Sequence, residues 1–206
     1  MEKVTEDQAA ELLSLVQSNA STDAKVNHIN LVKSAIKRNH VPDACIPMLF
    51  EISRITMQSQ QAQLAQVGFS TLNHLLTRLT TQEVRHIEKQ AKHTLPLVMD
   101  KMGDVKERNR DLASACLTTF WRGASPEVER FVKNQGLVGK NGRAKETSMH
   151  WIVGVSFTKD TYDNLLIVVL DAQRLRFTIQ DICPELGGIA RGCRWNGQRC
   201  GQKYRH

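Results

Sequence analysis

The side chains of this 206-residue chain that could do chemistry are its cysteines, histidines and charged groups. Cys183, Cys193, Cys200 and His206 could be drawn around a zinc ion. Their separations of ten, seven and six residues contain no close Cys-x-x-Cys pair, the spacing that zinc sites use. His74, His86, His93 and His150 fall singly on helical stretches, with no second His or Cys one turn away. Each reads as a packed or solvated side chain. There is no phosphate-binding glycine loop, no Gly-x-Ser-x-Gly elbow, no zincin helix and no carboxylate pair in a catalytic setting. The expectation is a chain with no catalytic residues, no cofactor and no metal.

Charge narrows the partners. The formal charge is +7, but residues 187–206 hold five Lys or Arg and no acid, so the remainder carries only +2. The basic pI belongs to the tail, and a nucleic-acid partner is not expected for the body. The segment "RGCRWNGQRCGQKYRH" admits an RNA-binding reading, with Trp195 and Tyr204 available for base stacking. The longest apolar run, Leu165 to Leu170, is far short of the roughly 18 residues that a membrane span requires, so no membrane partner is expected. The first residues lack the cationic-then-apolar order of a signal peptide. The odd count of five scattered cysteines suits reduced thiols, and together these suggest an intracellular chain.

The elements that must position any binding residues are helical throughout. Apolar side chains recur at three and four over residues 5–19 and 23–38, as in Val26, Ile29, Leu31, Val32 and Ile36. Asn39 to Pro42 break the pattern, and Asp43 offers a cap for a helix over 44–57. The spacing predicts a long helix over 60–79 with Leu64, Val67, Phe69, Leu72, Leu75 and Leu76 inward. Thr80 or Thr81 with Glu83 gives a turn and a capping signal. Further helices are expected up to Met102, with a kink or break at Pro96, and over 104–121 with Asp104 as cap. A turn at 122–126 then leads into helices over 126–137 and 143–153. In the charged start of the 104–121 helix, Asp104 and Arg110 are expected to bridge one repeat to the next, while Ala113 and Ala115 let helices nest. About eight antiparallel helices in pairs, repeating near every 40 residues, predict an all-α solenoid.

The stretch "GDVKERNRDLA" resembles a HEAT-repeat pattern: Asp104, Arg110 and Ala113 fit, and Asn109 stands where the pattern places a buried aliphatic side chain. With "STDAKVNHINLVKSAIKRNHVPDACIPMLFEISR", "GFSTLNHLLTRL", "LPLVMDKMGDVKERNRDLA" and "LVGKNGRAKETSMHWIV", it resembles the first TOG domain of fungal CLASP-family proteins over about residues 8–153. The resemblance implies a flat paddle of HEAT repeats whose edge, formed by the turns within each helical pair, lies against tubulin or microtubules. It also implies roles in stabilising dynamic microtubules, in spindle assembly and in cell division. The matching locations would be the cytoplasm, cytoskeleton, spindle or nucleus. Those turns are expected at 37–42, 79–82 and 121–125. They make Lys37, Arg38, His40, Thr80, Trp121 and Arg122 the candidate tubulin contacts. Tubulin is acidic, which suits the cations; Trp121 is an interface anchor or a core cap, and Lys37 and Arg38 also suit a helix C-terminus. The alternative function is a HEAT scaffold for a different protein.

The expected domains are a TOG-like array over 1–153, a partial repeat or aberrant insert over 154–186, and a disordered tail over 187–206. Permitted codons for Gly187 onward, shifted by one base, read PELVELLEDADGTAKDAVKSTV from Pro184. That string has the spacing of a further helical pair, so the tail reads as the product of a frameshift. An array cut there is expected to be marginally stable, because terminal repeats need a polar outer face.

Overall fold

The structure, a computed structural model, describes residues 3–156. Seven α-helices and one π-helical turn make up the body, and among the described residues there is no strand. The helices are α1 (Glu6–Gln17), α2 (Thr22–Arg38), α3 (Cys45–Met57), α4 (Ala62–Gln82), α5 (Arg85–Met102), α6 (Glu107–Phe131) and α7 (Gly142–Ser156). The π-helical turn Val132–Leu137 joins the last two. The readings for 157–206, including the insert, the tail, Cys183, Cys193, Cys200, His206, Trp195 and Tyr204, lie outside the described residues.

Local capping signals explain the first two starts, whereas α3, α4, α5 and α6 begin without a side-chain cap. Thr5 closes a capping box with Gln8 at the start of α1, and the Ser21 hydroxyl accepts the Ala24 N–H at the start of α2. The apolar stripes then do the packing. Ile29, Ile36, Leu49, Phe50, Leu72, Leu75, Leu76 and Phe120 are fully enclosed in one continuous core, and the Phe50 and Phe120 rings meet at 6.5 Å. Two layers result: α1, α3 and α5 lie side by side, α2, α4 and α6 form a second row, and each layer covers the other.

Several local expectations are corrected. The carboxylate of Asp43 does not cap α3; the first N–H groups there find the Pro42 and Asp43 carbonyls, and the Asp43 side chain faces His86 at 3.4 Å. Thr80 and Thr81 sit inside the last turn of α4, their hydroxyls donating back to Thr77 and Arg78 carbonyls, so neither caps α5. Helix α5 runs through Pro96 without a break. The turn expected over 122–126 is a single non-helical residue, Ala124 (φ −152°, ψ 52°), with Pro126 in the turn of helix that restarts. Ala113 is buried as expected, but Ala115 faces solvent and takes no part in nesting.

The larger correction concerns which helices form pairs. Helix α3 packs extensively on α4, and α5 on α6, whereas α4 barely touches α5. The pairs are therefore α1/α2, α3/α4 and α5/α6. Their internal turns are residues 18–21, 58–61 and 103–106, and residues 138–141 lead from the π-helical turn into α7. The turns at 37–42, 79–82 and 121–125 are not within pairs: the first two connect one pair to the next, and the third interrupts α6.

Candidate functional site

The predicted contact residues sit on the between-pair edge. Lys37 and Arg38 end α2 and are exposed, and His40 follows in the turn, also exposed. Arg78 of α4 donates to the Ile36 carbonyl at 3.1 Å and to the Lys37 carbonyl, answering the free acceptors at the end of α2. Gln82 clasps Val41 with two bonds, accepting its N–H at 3.0 Å and donating to its carbonyl at 2.6 Å. The first two turns are thus bolted together. The third adjoins them, because Gly123 lies so close to Ile87 that an added Cβ would stand 2.7 Å from its Cδ1. So the structure brings Lys37, Arg38, His40, Thr80, Trp121 and Arg122 to one edge.

Their chemistry differs. The Thr80 hydroxyl is spent on its own helix, at 2.9 Å from the Thr77 carbonyl. Trp121 is half-buried against the core with its indole N–H turned to Glu129 at 3.4 Å, while Arg122 is exposed. Burial, then Lys37, then Lys33 push the His74 pKa below its ordinary value. Burial and then Lys37 lower that of Lys33.

The opposite edge carries the turns within pairs. The Thr22 hydroxyl bonds Gln61, linking the first of these turns to the second. The turn between α5 and α6 is a polar knot. Asp104 accepts the Lys106 N–H at 2.8 Å and the Asn109 amide at 3.1 Å, with the Lys101 ammonium at 3.6 Å. Arg110 donates to the Asp104 and Val105 carbonyls, both at 3.0 Å. The expected bridge from repeat to repeat is therefore a clasp within one turn. Burial disfavours the charged form of Asp104, but the Lys106 and Asn109 hydrogen bonds and Lys101 outweigh it and hold the pKa below its usual 3.8. Asn109 is buried because this bond satisfies its amide.

That knot holds Val105 out in solvent at 74% exposure, followed by exposed Lys106, Glu107 and Arg108. Val138, Lys140 and Arg143 are exposed around the next turn, which is seated where Gly103 meets Asn141 and Ala144. Val105 and Lys106 were not among the predicted contacts. The signal that could have found them is the position of Val105 beside Asp104, within the turn of the repeat pattern.

Among the described residues no three His, Cys, Asp or Glu side chains gather as a metal would require, and no helix is long and apolar enough to cross a membrane. Cys45 and Cys116 are buried, and burial raises both thiol pKa values, that of Cys116 to about 12.

Residues 5–167 match the family model described as the CLASP N terminal region. The chain belongs to the CLASP N-terminal family. It is 47% identical over 152 residues to protein stu-1 of Neurospora crassa, which covers 74% of this chain and 13% of that protein. It is 47% identical over 151 residues to protein STU1 of Gibberella zeae, covering 73% of this chain and 13% of that protein. It is 44% identical over 169 residues to protein stu1 of Aspergillus fumigatus, covering 80% of this chain and 13% of that protein. The chain thus spans about an eighth of the length of these relatives. No solved structure matches it. The stacked helical pairs are the fold that the CLASP resemblance implies.

Proposed function

We propose that this CLASP N-terminal domain is a non-enzymatic, microtubule-associated module that engages tubulin through the turns within its helical pairs. In the whole protein it would serve microtubule stability and spindle assembly, at the cytoskeleton. The carrying observation is the turn at 103–106, where hydrogen bonds hold Val105 in solvent beside Lys106 and Arg108, with the carboxylate of Glu107 between those two cations. An apolar side chain on a rigid turn loses little entropy on binding, and flanking cations suit the acidic surface of tubulin. A second reading places the contact on the between-pair edge, at Lys37, Arg38, His40, Thr80, Trp121 and Arg122. It is favoured by the exposure of Lys37, Arg38, His40 and Arg122 together.

Co-sedimentation with microtubules and gel filtration with soluble tubulin, run on the full chain, test both readings. Val105→Ala with Lys106→Glu and Arg108→Glu is expected to weaken binding roughly tenfold or more, as loss of an interface centre does. Lys37→Ala with Arg38→Ala and Arg122→Ala is expected to leave it within about threefold, the modest effect of rim residues. The reverse pattern moves the contact to the second edge. Absence of binding by the unaltered chain would reject the tubulin reading in favour of a HEAT scaffold for another protein.

A further inference from the structure

A cleft between the C-terminal ends of α2 and α4, of about 200 Å³, is lined by Lys37, His74, Thr77, Arg78 and Thr81. We propose that this cleft binds a phosphate monoester, the group shared by phosphorylated side chains and small phosphate ions. It is separate from the first tubulin reading, which uses the opposite edge, and shares Lys37 with the second.

Three cationic or ionisable donors converge there from two helices. His74 and Arg78 are one turn apart on α4, Thr77 and Thr81 continue the same face, and Lys37 reaches across from α2. The donors still have capacity. Arg78 spends its Nε and one terminal nitrogen on the Ile36 and Lys37 carbonyls, which fixes the guanidinium and offsets the negative end of α2. Its other terminal nitrogen remains. Among the described residues no carboxylate pairs with Lys33, Lys37, His74 or Arg78. Lys33 is bonded to the Asn30 amide oxygen at 2.7 Å.

Positive groups crowded without a counter-charge disfavour one another. The lowered pKa of His74 traces first to burial, then to Lys37 and Lys33. An oxyanion relieves that repulsion. A phosphate presents three terminal oxygens to the ammonium, guanidinium and imidazole, whereas a carboxylate presents two. The Thr77 and Thr81 hydroxyls each donate to a carbonyl of their own helix at 2.8 Å, which narrows the mouth without adding a negative charge.

The test is a titration of the full chain with inorganic phosphate against chloride at constant ionic strength, followed by calorimetry and by the His74 ring resonances. Saturable binding that shifts those resonances is expected. Lys37→Gln should weaken it roughly tenfold, the loss of one charge-assisted bond. Lys37 is exposed, so the variant is expected to fold, as its unchanged circular dichroism would show. Lys133→Gln, on the π-helical turn, controls for general charge loss and should leave affinity unchanged. A phosphoserine peptide binding more tightly than inorganic phosphate identifies a phosphorylated segment as the ligand; equal affinities identify a small ion. Lack of saturation, an unaltered affinity in Lys37→Gln, or equal binding of an acidic peptide without phosphate would each overturn the site.

Discussion

Replacing Asp104 with Ala should loosen the α5–α6 turn by an amount the structure lets one work out. The carboxylate supplies a cap-like bond to the Lys106 N–H and the one partner shown for the buried Asn109 amide. A lost cap costs about 1 kcal/mol. A buried amide stranded without its partner costs about 1–3 kcal/mol more. The sum, about 2–4 kcal/mol, is a large share of the roughly 5–15 kcal/mol that holds a typical domain together. Urea denaturation followed by circular dichroism measures it as a lower midpoint. A companion variant isolates the cause. Asn109→Leu supplies the aliphatic side chain of the repeat pattern, so Asp104→Ala with Asn109→Leu should recover about 1 kcal/mol, because no amide is left stranded. The pH dependence has a fixed sign. The folded pKa of Asp104 lies below its ordinary 3.8, so its contribution is present above that value and is lost as pH falls below it. The stability curves of the unaltered chain and of Asp104→Ala should therefore converge in acid. An Asp104→Ala midpoint indistinguishable from that of the unaltered chain, or additive effects in the double variant, would refute the reasoning.

Three other outcomes are expected. Ser148→Ala should be neutral or slightly stabilising in thermal melts, because the buried Ser148 hydroxyl has no hydrogen-bond partner in the structure to lose. Gly68→Ala should cost about 1–3 kcal/mol by chemical denaturation, since its Cβ would lie 2.3 Å from the Thr56 Oγ1 and 3.1 Å from the Met57 backbone nitrogen. A Thr56→Ala partner should return only part of that loss. Cys116, fully enclosed with its thiol pKa pushed up to about 12, should resist alkylation at pH 8 and react only in denaturant, as peptide mapping by mass spectrometry would show.

Helix positions were legible in the sequence because a buried stripe repeats at 3.6 residues whatever it packs against. Leu64, Val67, Phe69, Leu72, Leu75 and Leu76 were all expected inward and are all buried. Pairing was not legible for the same reason. A stripe marks a face without saying which neighbour covers it. The very short link at 83–84 resembles a tight hairpin, although α4 and α5 hardly touch. Consequently the turns that hold Lys37, Arg38, His40, Thr80, Trp121 and Arg122 read as turns within pairs, whereas the packing of the helices puts them outside the pairs. The clasp at Asp104 was half visible. Its carboxylate announces a cap, yet α6 starts at Glu107 with Lys106 at the capping position and no side-chain cap bond, and the burial of Asn109 depends on a bond that spacing alone does not specify.

The single non-helical residue at Ala124 also sets the phase of the helical segment that follows it, up to the π-helical turn. Each residue of an α-helix advances the chain by about 100°. Adding or removing one residue there would rotate Val128 and Val132 away from the interior they now fill. The register of the helical segment that restarts after Ala124 is thus inherited from one backbone torsion, which makes an insertion at this joint ruinous.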